Sequence, residues 1–277
     1  MVLATNIASM SISFQLAETS SRMQVSVERL GTGLRIKKAQ DDPAGNSIAD
    51  SFRMQASTTK QGVDNSITAV TLLQIADKAM HQQSEIIDSL KTNIILALND
   101  TYSEDQLEIP SAVVKKLVKQ IDEIASQTNF SGMGLLQRSS RDDSAAGVLK
   151  FAIDSGLSID TDGVIRANSK GLGIDVLSSG SLSKEDFKSG LAIVDEALTK
   201  LNEFRSEYGS LQQQIESSMR NLMSQQTNMK LSESVVRDVD FVKEYATLAQ
   251  TILTYKAGSF ALTQANLSRE SVLDILV

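Results

Sequence analysis

His81 and Glu85 stand four residues apart, a spacing that sets an imidazole and a carboxylate on one helix face, where they could share a metal ion. Two ligands are too few for a protein metal site, and His81 is the only histidine, so the pair reads as part of a solvated face. A Ser-His-Asp triad would have to draw its base from this same residue. Asp41-Asp42 could act as an acid/base or metal pair, but adjacent carboxylates do not face each other on a helix and no third ligand is evident. Asp41 or Asp42 followed by Pro43 instead predicts a helix N-cap with proline in the first turn. Gly31-Thr32-Gly33 is no phosphate loop, because no lysine follows at the required spacing and no strand pattern precedes it. With no cysteine, disulfides, thiolate catalysis, Cys-based zinc sites and iron–sulfur clusters are excluded. No catalytic constellation survives, and no cofactor or metal is expected.

The composition agrees with a structural role. The chain has 277 residues, 4% aromatics, no tryptophan and two prolines. Its mean hydropathy is −0.10. A compact enzyme of this size normally has more large anchors for its core and pocket. The formal net charge of −7 argues against nucleic acid as a partner, which needs clustered Lys and Arg. The longest purely apolar run, Ile94–Leu98, is far too short to cross a membrane. The first basic side chain is Arg22, so a Sec-type leader is not expected.

The elements that must be built follow from breakers and periodicity. Residues 1–130 and 183–277 are nearly free of breakers, whereas glycines crowd residues 131–182. Leu73, Met80, Ile87 and Ile94 recur every seven residues, with Ala76, Gln83, Leu90 and Ala97 three positions after each. This heptad stripe with one polar position predicts a long helix over 64–99. At about 1.5 Å per residue it would be roughly 54 Å long, which suggests an elongated helical rod. Val114, Leu117, Ile121 and Ile124 form a second stripe. Leu191, Val194, Leu198, Leu201, Tyr208, Ile215, Met219, Leu222 and Met229 form a third. Leu73, Met80, Ile87, Ile94, Leu198 and Leu201 are the expected rod core. Residues 148–167 read as a β-hairpin turning at Asp162-Gly163. The fold class expected is mainly α, a helical rod or coiled-coil bundle with a small β-hairpin.

The two ends are unusual. Leu3, Ile7, Met10, Phe14 and Ala17 recur at three-and-four spacing, and residues 241–277 hold a long apolar series that includes Ile252, Phe260, Leu262, Val272 and Leu273. Most chains taper into polar ends. Two amphipathic helices paired only with each other leave much of each face uncovered, and exposed stripes of this kind mark interaction surfaces. The ends are therefore expected to order fully by packing against other copies of the chain.

At this point the residues resemble bacterial flagellin. The likeness rests on Val27-Glu28-Arg29-Leu30, Gly31-Thr32-Gly33-Leu34-Arg35-Ile36, Ala39-Gln40-Asp41-Asp42-Pro43-Ala44-Gly45 and Ile48-Ala49. It continues at Gln127-Thr128-Asn129-Phe130-Ser131-Gly132, which is similar to the family's turn after its second rod helix. Leu201, Arg205-Ser206-Glu207-Tyr208-Gly209, Asn221-Leu222, Ala257-Gly258, Leu262-Thr263-Gln264-Ala265-Asn266 and Val272-Leu273 complete it. Asp238 and Asp240 echo an acidic motif of the family, with Arg237 departing from it; a capping role for the last helix is expected there.

The resemblance implies an inner coiled-coil domain built from residues 1–40 and 235–277, with an outer helical domain over 41–234 that carries a β-hairpin region at about 141–180. It implies a minimal flagellin without variable outer domains, polymerising with its own copies into an extracellular filament for motility. Ile7, Met10, Phe14, Ile252, Phe260, Leu262, Val272 and Leu273 would then be assembly positions. Further partners implied are an export chaperone, the filament cap and hook-junction proteins, with secretion through the flagellar export apparatus. O-linked sugars are a family possibility at Ser139, Ser140, Ser144 and Ser155. Asn99-Asp100-Thr101, Asn129-Phe130-Ser131 and Asn266-Leu267-Ser268 fit the N-glycan pattern and read as chance. Many flagellins meet an innate immune receptor through Arg, Leu and Glu; Ser89, Asn93 and Val113 fall at those positions here, and Ser cannot replace a bidentate guanidinium. The alternatives are a hook–filament junction protein and a soluble coiled-coil adaptor.

Overall fold

The computed structural model describes residues 6–99, 107–137, 149–154, 157–160, 165–179 and 182–276, with backbone alone at 154, 157, 160 and 269–276. In chain order the elements are α1 (Ile7–Thr32), α2 (Pro43–Ala97), α3 (Glu108–Gln127), β1 (Asn129–Phe130), β2 (Met133–Gly134), β3 (Lys150–Asp154), β4 (Leu157–Asp160), α4 (Ser169–Leu172), a 3-10 turn (Asp175–Ser178), α5 (Lys184–Arg237) and α6 (Phe241–Leu276). The chain divides into two compact units, one of residues 1–56 with 227–277 and one of residues 57–226.

In the unit of residues 57–226, the heptad of α2 is the spine of the core. Leu73, Met80, Ile87 and Ile94 are buried, as are Ala76, Leu90 and Ala97. They share one hydrophobic cluster with Val114, Val118, Ile121 and Ala125 of α3 and with Val194, Leu201, Tyr208 and Ile215 of α5. Burial pushes the Tyr208 phenol well above its ordinary value, so it is neutral. Gln83, the one polar heptad position, is fully buried. Its Nε2 donates to the carbonyls of Ile121 at 3.1 Å and Ala167 at 2.7 Å. One side chain thereby ties α2 to α3 and to the segment before α4. That segment is held again by Asp122, whose carboxylate accepts from Ser169 N at 2.7 Å and Ser169 Oγ at 2.8 Å.

Helix α2 starts at Pro43, far ahead of the expected residue 64, and runs through Gly62 without a break. The glycine is present because the helix passes against β3. A Cβ there would stand inside van der Waals contact with the Ile153 carbonyl oxygen, and 3.3 Å from Leu222 Cδ1. Its start is capped by Asp42, whose Oδ1 accepts from Gly45 N at 2.9 Å.

The hairpin differs from expectation. Strands β3 and β4 pair antiparallel, from Lys150↔Asp160 to Asp154↔Leu157, with an irregularity between Ala152 and Asp154. The reversal between the two strands thus falls between Asp154 and Leu157; the expected turn at Asp162-Gly163 lies outside the described residues. Ile165 belongs to no strand. A two-residue link already suffices to close a hairpin, so no longer turn is required. A second, shorter hairpin pairs β1 with β2. Its two loop residues, Ser131 at φ 52° and Gly132 at φ 85°, are both left-handed, as a type I′ turn requires.

In the unit formed by the chain ends, α1 and α6 run antiparallel. Asn6 Nδ2 donates to Ala265 O at 3.1 Å at one end. Arg29 Nη1 lies 3.8 Å from Glu244 Oε2 at the other. Gly33, at φ 73°, ends α1 and donates to Arg29 O at 2.8 Å. The loop that follows is pinned to the α5–α6 junction by Arg35 N donating to Arg237 O at 2.7 Å and Val239 N donating to Gly33 O at 2.9 Å. Asp41 Oδ2 accepts from Lys37 N at 3.0 Å and Lys38 N at 2.9 Å. Those N–H groups, Lys38 first, hold the Asp41 carboxyl below the usual aspartate range. Asp240 Oδ1 caps α6, accepting from Val242 N at 3.0 Å and Lys243 N at 3.1 Å.

Candidate assembly surface

Helix α1 carries two stripes with heptad spacing, and only one meets α6. Ile12, Leu16, Thr19, Met23, Ser26 and Leu30 are buried or half-buried. They meet a matching series on α6, where Leu248, Thr251, Gly258, Leu262 and Ala265 are half-buried. This seam mixes large and small side chains: Ile12, Leu16, Met23 and Leu30 alternate on α1 with Thr19 and Ser26, its most buried members there, and on α6 Leu248 and Leu262 alternate with Thr251, Gly258 and Ala265. Small residues let two helices approach closely but bury little area.

The second stripe faces away. At about 100° per residue, Ile7, Met10 and Phe14 sit on the side of α1 opposite Ile12 and Leu16. All three are exposed, Phe14 at 78%. Helix α6 repeats the pattern: Val242, Leu253, Phe260 and Leu267 lie opposite its seam, and all are exposed, Phe260 at 75%. An isolated soluble helix pair would normally turn such side chains inward. Here each helix keeps a second apolar stripe outside, beyond the one its partner covers.

The expected assembly positions therefore separate. Ile7, Met10, Phe14 and Phe260 are on the outer faces, whereas Leu262 is in the seam and Ile252 is half-buried beside it. Val272 and Leu273 belong to α6, and their side chains lie outside the described residues. Val242 and Leu267 escaped the sequence reading; the seven-residue spacing of Leu253, Phe260 and Leu267 is the signal that finds Leu267.

Elsewhere, Leu73, Met80, Ile87, Ile94 and Leu201 are in the core of their unit, and Leu198 is half-buried against it. The second stripe runs Val114, Val118, Ile121 and Ala125, with Leu117 and Ile124 half-buried beside it. Ser89 is exposed, Asn93 donates to its carbonyl at 2.8 Å, and Val113 is exposed on α3. Ser139, Ser140, Ser144 and Ser155 lie outside the described residues. His81 is exposed, and among the described residues no group of three His, Asp or Glu is placed to hold a metal. No helix among them is long and apolar enough to cross a membrane. Arg237 lies 3.8 Å from Asp50 and 3.7 Å from Glu233, so the residue that departs from the family's acidic motif sits between two carboxylates.

Comparison with known proteins places this arrangement. The bacterial flagellin N-terminal helical region matches residues 3–141, and the bacterial flagellin C-terminal helical region matches residues 191–276. A flagellar filament 33 kDa core protein of Treponema phagedenis is 28% identical over 285 residues, covering 100% of both chains. A flagellin of Halalkalibacterium halodurans is 27% identical over 277 residues, again covering 100% of both. A Vibrio parahaemolyticus protein described as flagellar hook-associated shares the fold with a TM-score of 0.58, at 14% identity over 71% of this chain and 99% of that one. With both helical regions matched and the relatives aligned from end to end, the chain belongs to the bacterial flagellin family, whose members are structural proteins of the flagellar filament.

Proposed function

We propose that this chain is a structural subunit of the flagellar filament and polymerises with its own copies through the outer faces of α1 and α6. The observation that carries the reading is the second apolar stripe on each terminal helix, with Ile7, Met10 and Phe14 on α1 and Val242, Leu253, Phe260 and Leu267 on α6 left exposed on the side away from the seam. Burying each exposed Leu, Ile or Phe in a neighbour contributes about 1.5–3 kcal/mol, so the outer stripes together favour association strongly. A filament needs a heterologous contact that does not close, and outer stripes on two different helices supply unlike surfaces for it.

Residues 1–40 and 235–277 form the inner, assembling domain in this reading, and residues 41–234 the outer one. The subunit is extracellular in the finished filament and reaches it through the flagellar export apparatus, with an export chaperone, the filament cap and hook-junction proteins as partners. It has no catalytic activity and no nucleic-acid or membrane partner. A chain without cysteine and with two prolines suits export unfolded and folding at the tip, since no disulfide has to form and slow prolyl isomerisation is minimised. The hook-junction alternative is less well supported, because the full-length relatives are filament proteins. Copy number separates the two: thousands per filament against a thin ring.

The test is truncation. Chains lacking residues 1–30 or 250–277 should keep a folded core over residues 57–226 and fail to polymerise; filaments grown from either would overturn the reading. The departures at Ser89, Asn93 and Val113 further predict weak activation of the innate receptor in a cell reporter assay. Signalling equal to that of an Arg-containing flagellin would refute this.

A further inference from the structure

Beside the α1–α6 seam lies a recess of about 300 Å³, lined by Ile12, Leu16, Ala257, Gly258 and Ala261, with the neutral polar side chains of Gln15, Thr19 and Thr254 at its walls. It exists because α6 presents small residues here. Leu16 Cδ2 stands only 3.0 Å from where a Cβ on Gly258 would be, so the helices touch at that point and the alanines on either side leave the space open. No lining side chain is charged. About 150 Å³ of apolar cavity holds a benzene ring. The recess therefore has the size and the uncharged, largely apolar lining for one aromatic side chain, and among the described residues none of its own chain fills it.

We propose that Phe14 of a second copy of this chain occupies the recess, a knob-and-hole contact that sets how neighbouring subunits engage; this rests on the assembly reading above. Three observations select that occupant. Phe14 is the most exposed phenylalanine, at 78%. It lies opposite Ile12 and Leu16 on α1, so it cannot reach its own recess, and a knob and a hole on different faces give a contact that propagates rather than closes. Residues 1–17 carry no charged side chain, and Glu18, one turn after Phe14, is already paired with Arg22 at 2.6 Å, so docking Phe14 strips no unpaired charge of water. The other exposed phenylalanine of the outer stripes, Phe260, has Lys256 one turn before it on the same stripe. The exposed apolar side chains of α1 and α6 together supply on the order of 1,000 Å², the size a specific contact needs, so the knob is one anchor within a sufficient interface.

The experiment is a double-mutant cycle on the critical concentration for polymerisation, with monomer helicity followed by circular dichroism. Phe14→Ala removes the knob, and Ala261→Phe fills the hole from within. Each should raise the critical concentration at least tenfold with helicity unchanged, and the double variant should be no worse than the poorer single one. Multiplying losses would overturn the proposal. A second measurement avoids dependence on those variants: heavy-isotope Phe14→Cys and light-isotope Ala257→Cys chains are doped into wild-type filaments and oxidised. Because the native chain has no cysteine, a disulfide joining heavy and light chains supports the contact, and filaments without it refute it. If deletion of residues 1–30 stops growth while Phe14→Ala does not, the recess contact alone fails. If the deleted chain still polymerises, both readings fail.

Discussion

Gly62 and Gly209 both lie inside long unbroken helices, and the same substitution should act on them in opposite directions. In an open helical position, Gly→Ala gains about 0.5–1 kcal/mol, because alanine loses less backbone entropy on folding. Gly209 is such a position, with no atom within 4 Å of an added Cβ. At Gly62 the added methyl group would overlap the Ile153 carbonyl oxygen and stand 3.1 Å from its carbon. Backbone cannot rotate aside as a side chain can, so α2 and β3 must separate. Separation loosens Ile153, 1% exposed, and stretches the 2.9 Å hydrogen bond from Asn65 Nδ2 to Ala152 O. Overpacking of this kind costs about 1–3 kcal/mol, and a weakened hydrogen bond adds about 1 kcal/mol. Against the propensity gain, Gly62→Ala should destabilise by about 2 kcal/mol net, which leaves the two variants about 3 kcal/mol apart. Urea unfolding followed by circular dichroism reads this directly, and in heating the pair should melt roughly 6–12 °C apart. A Gly62→Ala protein as stable as Gly209→Ala would refute the close packing of α2 on β3.

Other perturbations test the remaining parts. Ile87→Asp should cost several kcal/mol, because a carboxylate would be buried without a partner, whereas Leu198→Asp at the half-buried edge should cost less; equal melting losses would misplace the core. Asp41 contributes to holding the 33–42 loop while it is ionised. Its folded pKa lies below its unfolded value, so the contribution is present above the ordinary aspartate range and is lost as pH falls through the folded pKa. Proteolysis of that loop should accelerate on acidification, and Asp41→Asn should be fast at neutral pH with little further change; an unaltered pH profile in the variant would count against it. Residues 57–226 carry 23 acidic and 16 basic side chains, and the rest of the chain 11 of each, so this unit holds the whole net charge of −7. Packed copies repel through it, and raising salt from roughly 10 to 150 mM shortens the Debye length from about 30 to about 8 Å. The critical concentration for polymerisation should fall severalfold, and sedimentation showing no change would remove repulsion as a control.

Much of this was legible in the residues. The α2 heptad named Leu73, Met80, Ile87 and Ile94, and each is buried. Asp42 before Pro43 announced a helix start, and a local cap depends only on neighbours in sequence. The exclusion of thiol, disulfide and multi-histidine chemistry followed from counts alone. The rest depended on distant contacts. Nothing near Gly62 in the chain distinguishes it from Gly209; the carbonyl that demands a glycine belongs to Ile153. The reversal between β3 and β4 falls between Asp154 and Leu157, a place that the local sequence does not mark as strongly as Asp162-Gly163. Helix α1 offers two heptad stripes, Ile7-Met10-Phe14 and Ile12-Leu16-Thr19, and apolarity alone favours the first as a core. Only the tertiary structure shows α6 seated on the second, because helix pairing is decided by how closely two surfaces approach, which small residues permit and a phenylalanine at that point would prevent.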